Sequence, residues 1–227
     1  MIMDLLGFLL LGFVDGLNIC SLSLFALLLS LLYSTKAQRG TIVLLGFVYI
    51  ASVYLSYFFA GLGILVFSLS LPEIPHLFAR LSVVMMLFFG AGNILNYFHP
   101  GLVVTSLPLT LGKKAVQSMK ALTVPSLFLA GLLVGLHNFP CACTGGVYFS
   151  FISLVAGSSL GLVYLVLYNM MFVLPLLVIL YVCSSKPLIL KLRRWQIEHA
   201  NKMKLVLGIT MVSVSLIILF LISSGLR

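Results

Sequence analysis

Charge is what this sequence has least of. Of 227 residues only 7% are charged, while 62% are hydrophobic. A chain so poor in charge cannot cover a water-soluble globule, which excludes a soluble domain. The N-terminus lacks the basic region of a signal peptide, and Asp15, Asn18 and Cys20 interrupt its apolar run, so the first run reads as a retained span. Cysteine is scarce as well, at four. Cys141-x-Cys143 with His137 offers three soft ligands, and only Cys20 is left as a fourth. The second ligand pair of a structural zinc site is missing, and no metal is expected.

What is present is apolar sequence in long blocks. Runs over 5–32, 41–68, 79–98, 125–157, 160–183 and 204–224 each approach the length needed to cross a hydrocarbon core of roughly 30 Å. They predict an all-α integral membrane protein with six transmembrane helices in one transmembrane domain, residues 1–227. The basic residues are unevenly placed. Lys36 and Arg39 follow the first run, Lys113, Lys114 and Lys120 the third, and Lys186, Lys191, Arg193, Arg194, Lys202 and Lys204 the fifth, which together make 11 of the 13. Because Lys and Arg in short loops stay in the cytoplasm, the expected topology is a multi-pass protein of the cell membrane with both termini outside. The net charge of +9 is then mainly a topology signal. Anionic lipid headgroups are the expected partner of the Lys186 to Lys204 run, and nucleic acid is not an expected partner.

A shift of 123 residues lays Gly12 on Gly135, Asp15 on Asn138, Cys20 on Cys143, Ser21 on Thr144 and Phe25 on Tyr148. The coincidences in Gly, Asp/Asn, Cys and Ser/Thr predict two three-helix repeats, about 1–98 and about 125–227. The segment 99–124 between them has the mixed Leu, Val and Lys composition of an interfacial cytoplasmic loop. A unit with an odd number of spans enters the bilayer from opposite sides in its two copies, so the repeats are expected to be inverted about an axis in the membrane plane.

Helix-breaking residues flank the cysteines in the first and fourth spans. Gly12, Gly16 and Asn18 precede Cys20, and Pro140, Gly145 and Gly146 surround Cys141, Cys143 and Thr144. Proline removes a backbone donor and glycine relaxes the helix, so spans 1 and 4 are expected to be broken at mid-depth. Unwound backbone there admits water and a partner to a thiol, which makes Cys20, Cys143 and Cys141 candidates for a reversible dithiol/disulfide. The plainer alternative is that they are small buried hydrophobes. Cys183, at the end of the fifth run, reads as structural. Asp15 is costly inside a span unless it faces water or a partner; it is expected to line a cavity with Asn18, His137 and Asn138. Those same four polar residues also suit a small-molecule or metal-ion transporter with a midplane site. Pro175, with Asn169 before it, permits a kink in the fifth span.

Gly16-Leu17-Asn18-Ile19-Cys20 and Phe139-Pro140-Cys141-Ala142-Cys143-Thr144-Gly145-Gly146 resemble the two motifs of the CcdA group, the minimal form of the DsbD transmembrane domain, and the resemblance covers essentially the whole chain. Ile19 stands where the family usually has proline, and the second motif holds two cysteines. The resemblance implies a transmembrane thiol:disulfide electron transporter, with thiol:disulfide oxidoreductase activity. It would pass reducing equivalents from cytoplasmic thioredoxin to an extracytoplasmic thioredoxin-like protein or an apocytochrome c pathway protein, in support of cytochrome c maturation. It implies no cofactor beyond a redox-active disulfide between Cys20 and either Cys143 or Cys141; the repeat favours Cys143.

Overall fold

Proline marks the start of three helices. In the computed structural model, residues 2–17, 19–35, 38–70, 74–99, 109–138, 148, 151–152, 155, 158, 160–182 and 186–223 are described. Eight helices are delimited among them: α1 Ile2–Gly16, α2 Ile19–Ser34, α3 Arg39–Ser70, α4 Ile74–Phe98, α5 Leu109–Met119, α6 Val124–Asn138, α7 Gly161–Val182 and α8 Lys186–Ser223. Pro75, Pro125 and Pro187 are the second residues of α4, α6 and α8, within the first turn, where proline's missing N–H goes unused in any helix. At the start of α6, Ser126 Oγ accepts the Thr123 N–H at 3.0 Å and donates to the Thr123 carbonyl at 2.9 Å. That pair ties down the free end of the helix. Pro175 falls inside α7.

The architecture is all-helical, with no strand among the described residues. Among the described residues two helices are long and apolar enough to cross a membrane, over Arg39–Phe67 and Gly161–Val182, so the chain is membrane-associated. Leu9–Gly16 and Ser21–Ser34 pass the same test only together, as a bent pair that forms either a broken span or a re-entrant loop, and Val83–Phe98, Val124–Leu136 and Lys204–Ile217 are shorter apolar stretches. The surface agrees with this. Phe59, Phe88, Tyr181 and Phe220 are exposed, whereas Asp15, Ser52, Ser56, Asn93, Asn96, Asn169 and Ser215 are buried. A water-soluble protein shows the reverse distribution.

Small residues decide how closely the helices meet. Where lipid is as apolar as leucine, helix association rests on backbone approach and van der Waals contact. Gly131 and Gly135 of α6 lie against Ser52 and Ser56 of α3, and Ser56 Oγ donates to the Leu132 carbonyl at 3.2 Å. Gly90 and Gly208 face each other between α4 and α8; a Cβ on Gly208 would stand 2.8 Å from the Gly90 carbonyl oxygen. The main pairings are α4 with α8, α3 with α6, α1 with α7, α5 with α6 and α3 with α7. The core draws on α2, α3, α5, α6 and α7, including Phe25, Leu29, Tyr49, Val53, Met119, Leu127, Tyr168 and Phe172.

Two connecting segments carry helix. Within the expected loop 99–124, α5 buries Ala115 and Met119, one turn apart, and exposes Lys114; Lys120, just after it, is exposed too. Leu122, at φ 51°, turns the chain from α5 into α6, a left-handed conformation that costs a residue with a Cβ roughly 1–2 kcal/mol; its side chain packs against the core. The basic segment after the fifth run is no loop either. It is the first part of α8, continuous with the last apolar stretch.

Candidate functional site at the break in the first span

The first apolar run does not form one helix. α1 ends at Gly16 and α2 begins at Ile19, with a bend of 50° between them. Gly16 lowers helix propensity at that point, and the Leu17 N–H is shared between the Phe13 and Val14 carbonyls, each at 3.2 Å, a tightened last turn. The two halves then pack on different neighbours. α1 lies principally on α7, while α2 lies on α8, α3, α6 and α5.

Glycine makes the α1–α7 contact possible. A Cβ on Gly12 would stand 2.7 Å from the Tyr168 carbonyl oxygen, and one on Gly16 would overlap the Phe172 carbonyl oxygen. This one-turn glycine pair is the small-residue spacing that lets membrane helices meet backbone to backbone. It also lowers Asp15, between them in sequence, into the interface.

Asp15 is 5% exposed. Tyr168 Oη donates to Asp15 Oδ2 at 2.9 Å. Beside Tyr168 on the same helix, Asn169 Nδ2 donates to Tyr148 Oη at 3.3 Å and to the Leu165 carbonyl at 2.8 Å. Tyr148 Oη in turn donates to the Tyr57 carbonyl at 2.7 Å. The rings close round this chain of contacts. Tyr148 meets Tyr57 edge-on at 5.6 Å and Tyr168 at 5.4 Å, and Phe151 stacks on Tyr168 at 4.2 Å. Polar groups from α1, α3, α7 and residue 148 are therefore gathered within an aromatic shell, where hydrogen bonds are strengthened by low dielectric. Asp15 Oδ1 and Asn169 Oδ1 have no hydrogen-bond partner there.

Of the residues named from sequence, Asp15 is placed in this cluster, and Cys20 is placed in the first turn of α2 by its backbone. His137 and Asn138 close α6. The side chains of Cys20, His137 and Asn138 lie outside the described residues, as do Asn18, Pro140, Cys141, Cys143, Thr144, Gly145, Gly146 and Cys183. Among the described residues no three His, Cys, Asp or Glu side chains come together as a metal site. Sequence reasoning did not find Tyr168 or Tyr148 as partners of the buried polar groups. The signal was there in Tyr168-Asn169, two hydrogen-bonding residues in the middle of an otherwise apolar run.

Compared with protein families, curated proteins and solved structures, the chain matches none.

Proposed function

We propose that this chain is a transmembrane thiol:disulfide electron transporter of the CcdA type. It takes reducing equivalents from cytoplasmic thioredoxin and hands them to an extracytoplasmic thioredoxin-like protein, in support of cytochrome c maturation. One observation carries the reading. α2 begins at Ile19, so Cys20 stands in the first turn of a half-helix, at a 50° break within an apolar span. Free N–H groups and the helix dipole favour an anion at such a place, and the thiolate is the form of cysteine that attacks a disulfide.

The packing supports six spans in two inverted repeats. The 123-residue shift relates α1 to α6 and α3 to α7. Exchanging partners in that way turns the α1–α7 contact into an α6–α3 contact, and both pairs are present. Gly12 and Gly135, equivalent under the shift, each lie at one of these two contacts. The α3–α7 and α4–α8 pairs map onto themselves, as they would across a twofold axis in the membrane plane. In this reading both termini lie outside, and the basic first part of α8 lies along the cytoplasmic headgroups.

The reaction balances without a diffusible cofactor. A thioredoxin thiolate attacks the disulfide between Cys20 and the span-4 cysteine, Cys143 or Cys141. That breaks the intramembrane S–S bond and leaves a mixed disulfide and one thiolate. The second thioredoxin cysteine resolves the mixed disulfide, so thioredoxin is oxidised by two electrons and the pair becomes a dithiol. The extracytoplasmic partner's disulfide is reduced by the same two steps in reverse. Differential alkylation with and without reductant, then trapping with thioredoxin lacking its resolving cysteine, tests this. The expected result is a Cys20-linked disulfide and a thioredoxin adduct; absence of both overturns the proposal.

A further inference from the structure

The buried cluster around Asp15 has acceptors left over. The Tyr168 hydroxyl is given to Asp15 Oδ2, the Tyr148 hydroxyl to the Tyr57 carbonyl, and the Asn169 amide to Tyr148 Oη and the Leu165 carbonyl. Asp15 Oδ1 and Asn169 Oδ1 accept nothing. A carboxylate oxygen with no partner in a low-dielectric interior carries a heavy desolvation cost, which a positive charge relieves.

Among the described residues no such charge is at hand. α1 contains no Lys, Arg or His, and its other acid, Asp4, is about three turns away. α7, on which α1 packs, contains no Lys, Arg, His, Asp or Glu at all. Among the described residues, the titratable groups that interact with Asp15 are Tyr168 and Tyr148. Asp15 also occupies the last turn of α1, with no basic residue there, where the helix's own partial charge is negative. A cation from solution answers both deficits. The deficit is one charge, because one carboxyl is present, and no group of three ligating side chains marks a divalent site among the described residues.

We propose that Asp15 binds one monovalent cation, Na⁺ or H⁺, at the break in the first span, and that the bound cation holds α1 against α7. The site is independent of the thiol chemistry, so a Cys20→Ser chain retains it.

The test uses the purified full-length protein in lipid nanodiscs, with thermal unfolding and infrared difference spectra of the carboxyl bands as readouts. In one arm NaCl replaces choline chloride at constant pH and ionic strength; in the other, pH is lowered without Na⁺. The expected result is a rise in Tm and a changed carboxyl band in at least one arm, which identifies the ion, and loss of both in Asp15→Asn. Tyr168→Phe keeps the carboxyl but removes the donor to Oδ2, so apparent cation affinity should tighten about tenfold or more. If Asp15→Asn does not fold, wild type and Tyr168→Phe decide. Absence of any Na⁺- or pH-responsive carboxyl band that Tyr168→Phe moves overturns the proposal.

Discussion

Gly16→Ala puts a methyl group where α1 meets α7. Its carbon would overlap the Phe172 carbonyl oxygen, 2.9 Å from the Phe172 carbonyl carbon and 3.1 Å from Pro175 Cδ. None of these atoms can swing aside, since two are backbone and the third belongs to a ring fixed to its own backbone. Relief must come from α1 moving as a body. Overpacking of this kind costs about 1–3 kcal/mol. A displacement of even an ångström also stretches the 2.9 Å hydrogen bond from Tyr168 to Asp15, adding about 1–3 kcal/mol as a buried polar group loses its partner. These terms share one interface and do not add fully, so the expected loss is about 2–4 kcal/mol. Gly7→Ala and Gly63→Ala are internal controls, since a Cβ at either meets nothing within 4 Å. They should be neutral or stabilising by up to about 1 kcal/mol through helix propensity. The assay is reversible unfolding of the purified protein in mixed micelles. A Gly16→Ala protein as stable as Gly7→Ala would refute the backbone-to-backbone docking of α1 on α7.

Tyr148→Phe removes the hydroxyl that donates to the Tyr57 carbonyl and accepts from Asn169; with two buried groups left short of a partner, the same assay should show a loss of about 2–3 kcal/mol. Gly208→Val places side-chain atoms against the Gly90 carbonyl and Ile94. It should cost about 1–3 kcal/mol by forcing α4 and α8 apart, read as weaker cross-linking between cysteines introduced on the facing sides of those helices.

Local chemistry made part of this molecule legible in the sequence. The break after Gly16 follows from Gly12, Gly16 and Asn18 in one apolar run, and α1 does end at Gly16. The fourth apolar run opens at 125, and α6 starts there with Pro125 in its first turn. The helical path through 109–119 and from 186 onward was hidden, because basic residues read as loop when only hydropathy is scored. α5 is stabilised by burying Ala115 and Met119, a packing gain that no local pattern registers. The partner of Asp15 was hidden for a related reason. Tyr168 lies 153 residues further along the chain, and an apolar run such as α7 does not announce which face meets which neighbour.

The unequal attachment of the two halves of the first span bears directly on the proposed electron transport. α2 buries Phe25, Leu28, Leu29 and Leu32 and touches four other helices, so its first turn, with Cys20, belongs to the fixed part of the bundle. α1 rests chiefly on α7, through two glycines and the hydrogen bond to Asp15. α1 has one principal neighbour where α2 has four, so undocking α1 opens a single interface. A movement of α1 away from α7 would uncover the break after Gly16 from one side while leaving the backbone of Cys20 in place. Under the proposed repeat, a movement of α6 away from α3 would do the same from the other side. In that scheme access alternates by undocking one glycine-faced half-helix at a time, and the residue that senses whether α1 is docked is Asp15.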